Sequence, residues 1–294
     1  MPPMTHTETF RVRHYECDAY GHLNNANYIR YMEEAAFAAS ARAGYPKHRY
    51  EGMGFLWLAR ETEIEYLQPV RYGDTLEVKT WVDDFRRVRS RRRYEFRMAG
   101  TDDLVAQAST DWVYLDATTL RPAVIPQEMV AGFWPGEAPE PAPQRDKFPA
   151  APPPPPGVFK LRRRVEWRDI DTAQHVNNAA YLNYLEDCGI QVMNAHQWPM
   201  ARAEAEGFAI IARSHRIEYR QPAVLDDEIE IATWVSDIKR SFATRHFTIH
   251  RATDNELLIQ ARTLYVWVDT EKGRPIRVPQ QFLDDFAPNI VIAG

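Results

Sequence analysis

The feature that most constrains this chain is a phrase that occurs twice. "HLNNANYIRYMEEA" begins at His22, and "HVNNAAYLNYLEDC" begins at His175, 153 positions later. The same offset aligns identical residues along both halves without a gap: Asp18 with Asp171, Arg60 with Arg213, Tyr66 with Tyr219, Pro69 with Pro222, Trp81 with Trp234, Gln107 with Gln260, and Phe133 with Phe286. A period of this length is a whole domain, too long for a solenoid repeat. The sequence therefore predicts a tandem duplication of one domain.

Composition limits the class of protein. The length of 294 residues suits two domains, and 45% hydrophobic with 26% charged residues is ordinary for a globular protein. The net charge of −5 gives no basic field for nucleic acid. Neither a signal-peptide core nor a membrane-spanning apolar run is present, so we expect a cytoplasmic protein without a membrane partner. Cys17 and Cys188 do not match across the repeat, and we expect both to be reduced packing thiols.

A proline-rich stretch, "PGEAPEPAPQRDKFPAAPPPPPG", separates the two halves. Proline at this density favours an extended backbone, which is typical of a linker. A ligand for a proline-recognition module is the alternative, but the position at the repeat junction favours a linker. The predicted limits are residues 1–136 for the first domain, 137–157 for the linker and 158–294 for the second domain.

Each repeat predicts one long helix and several strands. "TFRVRHYE" and "KLRRRVEWRD" open the halves as strands, and apolar residues at helical spacing follow at Tyr28, Met32, Ala35, Ala36 and Ala39. Asn24 and Asn177 are suitable helix N-caps. The remainder predicts four alternating strands, with a short helix after Pro126 and Pro279. The expected fold class is α+β, with each long helix packed on a curved antiparallel sheet.

The string Asp-x-x-x-His-x-Asn-Asn-x-x-Tyr at the helix start, followed by "IEYxxP", resembles the hotdog-fold thioesterases. The nearest groups are the 4-hydroxybenzoyl-CoA thioesterase-like and acyl-ACP thioesterase-like families, and the resemblance covers residues 9–133 and 162–286. It implies two tandem hotdog domains that pair as an intrachain pseudo-dimer. A homo-oligomer of the double-hotdog chain stays open. Acyl-ACP thioesterases read Asp-x-Asn-x-His here, whereas this chain has Tyr20 and Ala173 at the middle position.

The residues around the helix start suit thioester hydrolysis. A carboxylate at Asp18 or Asp171 could polarise water or attack the acyl carbon, and a helix N-terminus could stabilise the oxyanion. By resemblance, the oxyanion donor is the amide seven residues after the acid, at Asn25 and Asn178. His22 and His175 are expected to orient the acid or the loop. The alternative is that these polar residues only cap the helix and its turn.

Further residues are predicted to contact substrate: Asn24, Asn177, Tyr28, Tyr181, Arg60, Arg213, Arg92 and Arg245. The two tyrosines lie on the apolar helix stripe and also suit the core. In the run Arg86 to Arg93, alternation places most arginines on a solvated strand face. Arg92 and Arg245 instead share a face with apolar neighbours, which a CoA phosphate site or a buried ion pair would both explain.

Three functions follow from these residues. The first is an acyl-CoA thioesterase without a metal or a tightly bound cofactor, and the second is an acyl-ACP thioesterase of fatty-acid synthesis. The third, from another class, is a non-catalytic acyl-CoA-binding protein on the same fold. No output module remains once both repeats are assigned, which favours an enzyme. The length and the aromatic or aliphatic nature of the acyl group do not follow from the sequence.

Overall fold

The computed structural model describes residues 2–136 and 146–291 of the chain. The chain divides into two compact units, with the division between Lys147 and Phe148. Part of the predicted linker, residues 137–145, lies outside the described residues.

The first unit is one five-stranded antiparallel sheet with a long helix. Its elements in chain order are β1 (Thr5–Arg11), α1 (Asn25–Arg42), α2 (Lys47–Met53), β2 (Phe55–Tyr66), β3 (Thr75–Phe85), β4 (Arg89–Met98), β5 (Leu104–Asp116) and α3 (Gln127–Phe133). The strand order is β1-β3-β4-β5-β2, and every pairing along it is antiparallel.

The second unit repeats this plan. Its elements are β6 (Phe159–Arg164), α4 (Asn178–Ala195), α5 (Met200–Ala205), β7 (Phe208–Tyr219), β8 (Glu228–Ser236), β9 (Phe242–Arg251), β10 (Leu257–Asp269) and α6 (Gln280–Phe286). Its strand order, β6-β8-β9-β10-β7, matches that of the first unit strand for strand, and every pairing along it is antiparallel. The predicted α+β class and the repeated domain are confirmed.

The apolar stripe of each long helix forms the centre of its unit. Tyr28, Met32 and Ala35 of α1 are buried, and they belong to one cluster with Leu76 and Phe96 of the sheet. Burial of a large apolar side chain stabilises a fold by about 1.5–3 kcal/mol, so this stripe fixes the helix on the sheet. The equivalent stripe of α4 is buried as well, at Tyr181, Leu185, Cys188 and Val192. The predicted helix starts are confirmed, because α1 and α4 follow directly after their N-caps.

The prediction that only strands follow the long helix was wrong. Short helices α2 and α5 come first, each with a proline at its N-cap, Pro46 and Pro199. Gly54 ends α2 with a positive φ of 75°, a conformation that glycine adopts at low cost. The short helices predicted after Pro126 and Pro279 are present as α3 and α6.

The opening strands also end earlier than predicted. Residues His14–Glu16 and Trp167–Asp169 form 3₁₀ turns rather than strand. The Glu16 carboxylate accepts the Arg13 amide at 2.7 Å, and Asp169 accepts the Glu166 amide at 3.2 Å. These side-chain bonds satisfy turn amides that a strand would have used elsewhere, so the chain bends away from the sheet.

Two findings bear on the remaining expectations. Both cysteines are free; Cys188 is fully buried, and burial raises the pKa of its thiol to about 12, whereas Cys17 is half-buried. Among the described residues, no helix is both long enough and apolar enough to cross a membrane. The pairing of the two units as a pseudo-dimer stays a prediction.

Candidate active site

A tight loop holds the first predicted acid. The Asp18 amide donates to the carbonyl of His22 at 2.8 Å, and this hydrogen bond joins the two ends of the loop. Oδ1 of Asp18 accepts the amides of Tyr20 at 2.9 Å and His22 at 3.0 Å. Gly21 has a φ of 74°, as the reversal of the chain requires. Asp18 is half-buried, and within the described residues its Oδ2 makes no hydrogen bond.

The second unit builds the same loop, and among the described residues its carboxylate accepts one backbone amide instead of two. The Asp171 amide donates to the carbonyl of His175 at 2.9 Å, and Oδ1 of Asp171 accepts the Ala173 amide at 2.8 Å. Gln174 replaces the glycine and carries a positive φ of 63°. A non-glycine residue in that conformation is strained, so the loop keeps the same shape although Gln174 costs conformational free energy.

Each loop leads directly into the start of a long helix. Oδ1 of Asn24 accepts the Ala26 amide at 3.0 Å, and Oδ1 of Asn177 accepts the Ala179 amide at 2.9 Å. Asn24 and Asn177, which we predicted to contact substrate, therefore act as N-caps. Asn25 and Asn178 are the first helical residues. The amide of such a residue lies outside the helical hydrogen-bond ladder, at the positive end of the helix dipole.

The two histidines shape the loops through their backbone. His22 both donates to Asp18 and accepts from it, and the carbonyl of His175 accepts from Asp171. The His22 ring is half-buried, and its Nε2 atom has no hydrogen-bond partner among the described residues. Burial lowers the pKa of His22; Asp18 opposes this shift, while Arg71 adds to it. The ring is therefore neutral near pH 7.

In each unit, a tyrosine of the long helix donates a hydrogen bond to a buried carboxylate that precedes the loop. The Tyr31 hydroxyl donates to Glu16 at 2.8 Å, and the Tyr184 hydroxyl donates to Asp169 at 2.7 Å. The Glu16 carbonyl also accepts the amide of Asn24 at 2.9 Å. Our sequence reasoning missed this contact. Its signal was the pairing of an acid and a tyrosine at the 153-residue offset in both halves.

Tyr28 and Tyr181 lie in the cores of their units. The Tyr28 ring packs edge-on against Tyr66 at 5.1 Å and Phe96 at 5.3 Å between centroids. The Tyr181 hydroxyl accepts the Ala223 amide at 2.9 Å. Burial raises the pKa of both phenols. These surroundings suit a structural role, and contact of either tyrosine with substrate stays a prediction.

Arg92 and Arg245 are buried at equivalent positions, 5% and 6% exposed. Arg92 donates to Thr80 Oγ1 at 3.4 Å and lies over the Phe133 ring at 5.5 Å. Arg245 donates to Thr233 Oγ1 and to Asn289, both at 3.3 Å. Neither guanidinium forms an ion pair with a residue in the described ranges, so the ion-pair explanation finds no partner there. Burial lowers the pKa of both groups.

Arg60 and Arg213 occupy the bulges of β2 and β7. The pairing of β2 with β5 passes from Ala59 to Glu61, and that of β7 with β10 shifts between Ala212 and Ser214. A bulge re-aims the side chain of the extra residue. Both arginines are half-buried. Over residues 2–136 and 146–291, no group of three His, Cys, Asp or Glu side chains could hold a metal ion.

The fold matches those of thioesterases of known structure. The acyl-ACP thioesterase of Bacteroides thetaiotaomicron superposes with a TM-score of 0.69 at 15% identity, covering 89% of this chain and 97% of that one. The 12:0-ACP thioesterase of Umbellularia californica gives a TM-score of 0.71 at 18% identity, covering 90% of this chain and 94% of that one. The predicted tandem hotdog architecture is confirmed.

Sequence comparison agrees. The acyl-CoA thioester hydrolase YbgC of Escherichia coli O157:H7 is 30% identical over 129 residues, 44% of this chain and 96% of that protein. The chloroplastic acyl-[acyl-carrier-protein] hydrolase FATB2 of Cuphea viscosissima is 22% identical over 269 residues, 87% of this chain and 61% of that protein.

The family match, the relatives and the fold define a duplicated hotdog enzyme of the thioester hydrolase class. A sequence profile of the thioesterase-like superfamily matches residues 12–133 and again residues 165–286. The chain belongs to this superfamily, and the predicted activity class is confirmed.

Proposed function

We propose that this protein hydrolyses acyl-CoA thioesters with Asp18 and Asp171 as the acids of two sites. The observation that carries the proposal is the loop itself. In both units it holds a carboxylate by one oxygen and ends at the first residue of a long helix. An acid-base group and an oxyanion donor thus come from one short segment of each unit.

In the proposed reaction, the carboxylate acts as a general base. Oδ1 of Asp18 is held by two amides, while Oδ2 faces the reaction and takes a proton from the attacking water. Water oxygen bonds to the thioester carbon, and the carbonyl oxygen gains the charge. The Asn25 amide at the helix N-terminus stabilises that charge. The tetrahedral intermediate then collapses, the carbon–sulfur bond breaks, and the proton passes from the carboxyl to the thiolate. Direct attack by the carboxylate on the acyl carbon is the alternative.

The residues of the two loops favour acyl-CoA over acyl-ACP as the proposed substrate. The middle position of Asp-x-Asn-x-His in acyl-ACP thioesterases is Tyr20 in one loop and Ala173 in the other. Neither side chain can hydrogen-bond as the asparagine amide does, and YbgC, the relative at 30% identity, is named for acyl-CoA. The acyl-ACP alternative is supported by the longer match to FATB2. A cytoplasmic location and function without a cofactor remain parts of the proposal.

Thiol release by an Asp18→Asn, Asp171→Asn double variant tests the proposal. We expect a loss of roughly 10² to 10⁴ in kcat, because a positioned acid-base group is removed while the loop amides keep an acceptor. The matched control is Asp102→Asn, since Asp102 is an exposed turn carboxylate far along the sequence from either loop. A folded double variant with normal turnover would refute the assignment.

The substrate class is tested in the same assay. Wild-type protein is offered acyl-CoA and acyl-ACP with the same acyl groups, and hydrolysis of acyl-CoA at the higher kcat/KM is expected. Binding of acyl-CoA without thiol release would instead establish the non-catalytic alternative.

A further inference from the structure

A surface groove of about 460 Å³ opens in the first unit. It lies beside the loop of residues 18–22 that holds Asp18, the acid loop of this unit. Strand β1 and the 3₁₀ turn after it form one side, with Phe10, Arg11, Arg13, His14 and Tyr15, and Tyr72 forms the other. The groove adjoins the acid loop because Arg71, the neighbour of Tyr72, forms a β-bridge with His22.

Aromatic rings line this groove and remain open to solvent. Tyr15 is 77% exposed and Tyr72 is 61% exposed. The Tyr72 ring stands edge-on to His14 at 5.8 Å, and Phe10 stacks on Tyr31 at 4.3 Å. Exposed rings clustered at one depression mark a surface for recognition of a flat, apolar group.

The charge around the groove is positive and only partly neutralised. Arg11 and Arg71 form no ion pair with residues in the described parts of the chain. Arg13 pairs with Glu16 at 3.5 Å, and its side chain is still largely exposed. The nearby carboxylates already have partners, because Glu16 accepts from Tyr31 and Asp74 accepts the Arg71 amide at 2.7 Å. An anionic ligand in the groove would therefore meet the Arg11 guanidinium, which lines the groove and has no ion-pair partner among the described residues.

On the equivalent surface of the second unit, the arginines form ion pairs with neighbouring carboxylates. Arg164, the counterpart of Arg11, pairs with Asp226 at 2.9 Å, and Arg168, the counterpart of Tyr15, pairs with Glu166 at 2.8 Å. Arg163, at the position of Phe10, lies 3.9 Å over the Tyr184 ring.

The remaining positions on that surface differ too. Val224 and Leu225 replace Arg71 and Tyr72, although Trp167 leaves one exposed aromatic ring at the position of His14. Unpaired arginines beside exposed rings are thus a property of the first unit.

We propose that this groove binds the nucleotide end of CoA, with adenine stacked on the aromatic rings and the phosphates bound by Arg11, with Arg13 beside it. Guanidinium groups match phosphate oxygens in geometry, and stacking on an aromatic ring suits a purine. This inference rests on the proposed acyl-CoA hydrolysis. It assigns recognition of the CoA headgroup to the first unit, separately from the acid loops.

Truncated substrates give the test. Wild-type protein and an Arg11→Gln, Tyr72→Leu variant are assayed with an acyl-CoA and with the same acyl group on N-acetylcysteamine, which lacks the nucleotide. We expect the ratio of kcat/KM for acyl-CoA to that for the truncated thioester to fall about tenfold or more, through KM. Arg164→Gln in the second unit is the matched control, and its ratio should stay at the wild-type value.

Several results would overturn the inference. These are an unchanged ratio, an equal fall in the Arg164→Gln control, and a loss confined to acyl-ACP, which would identify a docking surface for the carrier protein. Titration with adenosine 3′,5′-bisphosphate is a separate readout. Binding that the double variant loses supports the groove, and no binding to wild-type protein refutes it. If wild-type protein released thiol from no thioester, the proposed function would fail while this titration still decided the groove.

Discussion

At the residue scale, two buried histidines of the second unit stand out. Nδ1 of His215 lies 2.8 Å from Thr263 Oγ1, and Nε2 of His246 lies 2.7 Å from Ser236 Oγ. Burial lowers the pKa of His215 to about 3 and that of His246, with help from Arg262, to about 4. Both rings are neutral in the folded protein across the physiological range, whereas in an unfolded chain they would protonate near pH 6.5.

The first prediction at this scale is a loss of stability in mild acid. Above about pH 6.5, neither the folded nor the unfolded chain protonates these rings, so their contribution is complete. As the pH falls below that value, only the unfolded chain gains the proton. The free energy of unfolding should then drop by up to about 1.4 kcal/mol per pH unit for His215, with His246 acting in the same direction. Urea unfolding between pH 6.5 and 5 measures the slope, and His215→Asn should flatten it. An equal slope in that variant would contradict the assignment.

The acid loop and the helix start were predictable because identical residues recur at one offset, from Asp18 to Tyr28 in one half and from Asp171 to Tyr181 in the other. The groove beside Tyr72 was not predictable from the sequence. Its identity depends on which rings remain exposed and which arginines lack a partner, and sequence alone determines neither. Arg11 and Arg164 look equivalent in the repeat, yet among the described residues Arg164 pairs with Asp226 and Arg11 forms no ion pair.

At the element scale, length decided what could be predicted. The long helices carry several turns of apolar periodicity, and the strands alternate over nine residues or more in most cases. Helices α2 and α5 span only 7 and 6 residues, so no period develops and only the flanking prolines mark them. The contacts of the proline-rich segment before β6 were likewise not predictable from the sequence. Trp234 Nε1 donates to the Pro152 carbonyl at 3.2 Å, a contact that composition could not indicate.

Close packing of Gly157 gives the prediction at this scale. Its amide donates to the Pro288 carbonyl at 3.1 Å, and a Cβ atom placed on it would collide with that same backbone oxygen. Gly157→Ala should destabilise the second unit by about 1–3 kcal/mol, as overpacking against a fixed backbone does. Gly52→Ala is the control, because Gly52 lies within α2 with no atom near its Cβ position. Helix propensity should make that variant neutral or more stable by up to about 1 kcal/mol. Thermal unfolding compares the two, and a Gly157→Ala protein as stable as wild type would contradict the packing argument.

At the scale of the whole molecule, duplication has kept the residues of the proposed site and changed their surroundings. Both units retain the acid, the histidine and the two asparagines of the loop and helix start. Both also retain the hydrogen bond from a helix tyrosine to the carboxylate that precedes the loop. They differ beside the acid, where Tyr20 is 41% exposed in the first loop and Ala173 stands in the second. They also differ at the proposed nucleotide groove, where Arg11 of the first unit has no ion-pair partner among the described residues and its counterpart Arg164 pairs with Asp226. Retention of every chemical residue in both halves favours two working sites with unequal preferences.

The last prediction separates the two sites by single variants. Asp18→Asn should leave the hydrolysis that depends on Asp171, and Asp171→Asn should leave that which depends on Asp18, so each variant keeps part of the activity. Because a phenol flanks one acid and a methyl group the other, the two variants should differ in kcat/KM across acyl chain lengths by about 10-fold or more for some substrates, as one to two kcal/mol of contact energy would give. Thiol release from a series of acyl-CoA substrates measures both profiles. If either single substitution abolished activity toward every substrate, only one site would be working and the second loop would be a structural copy.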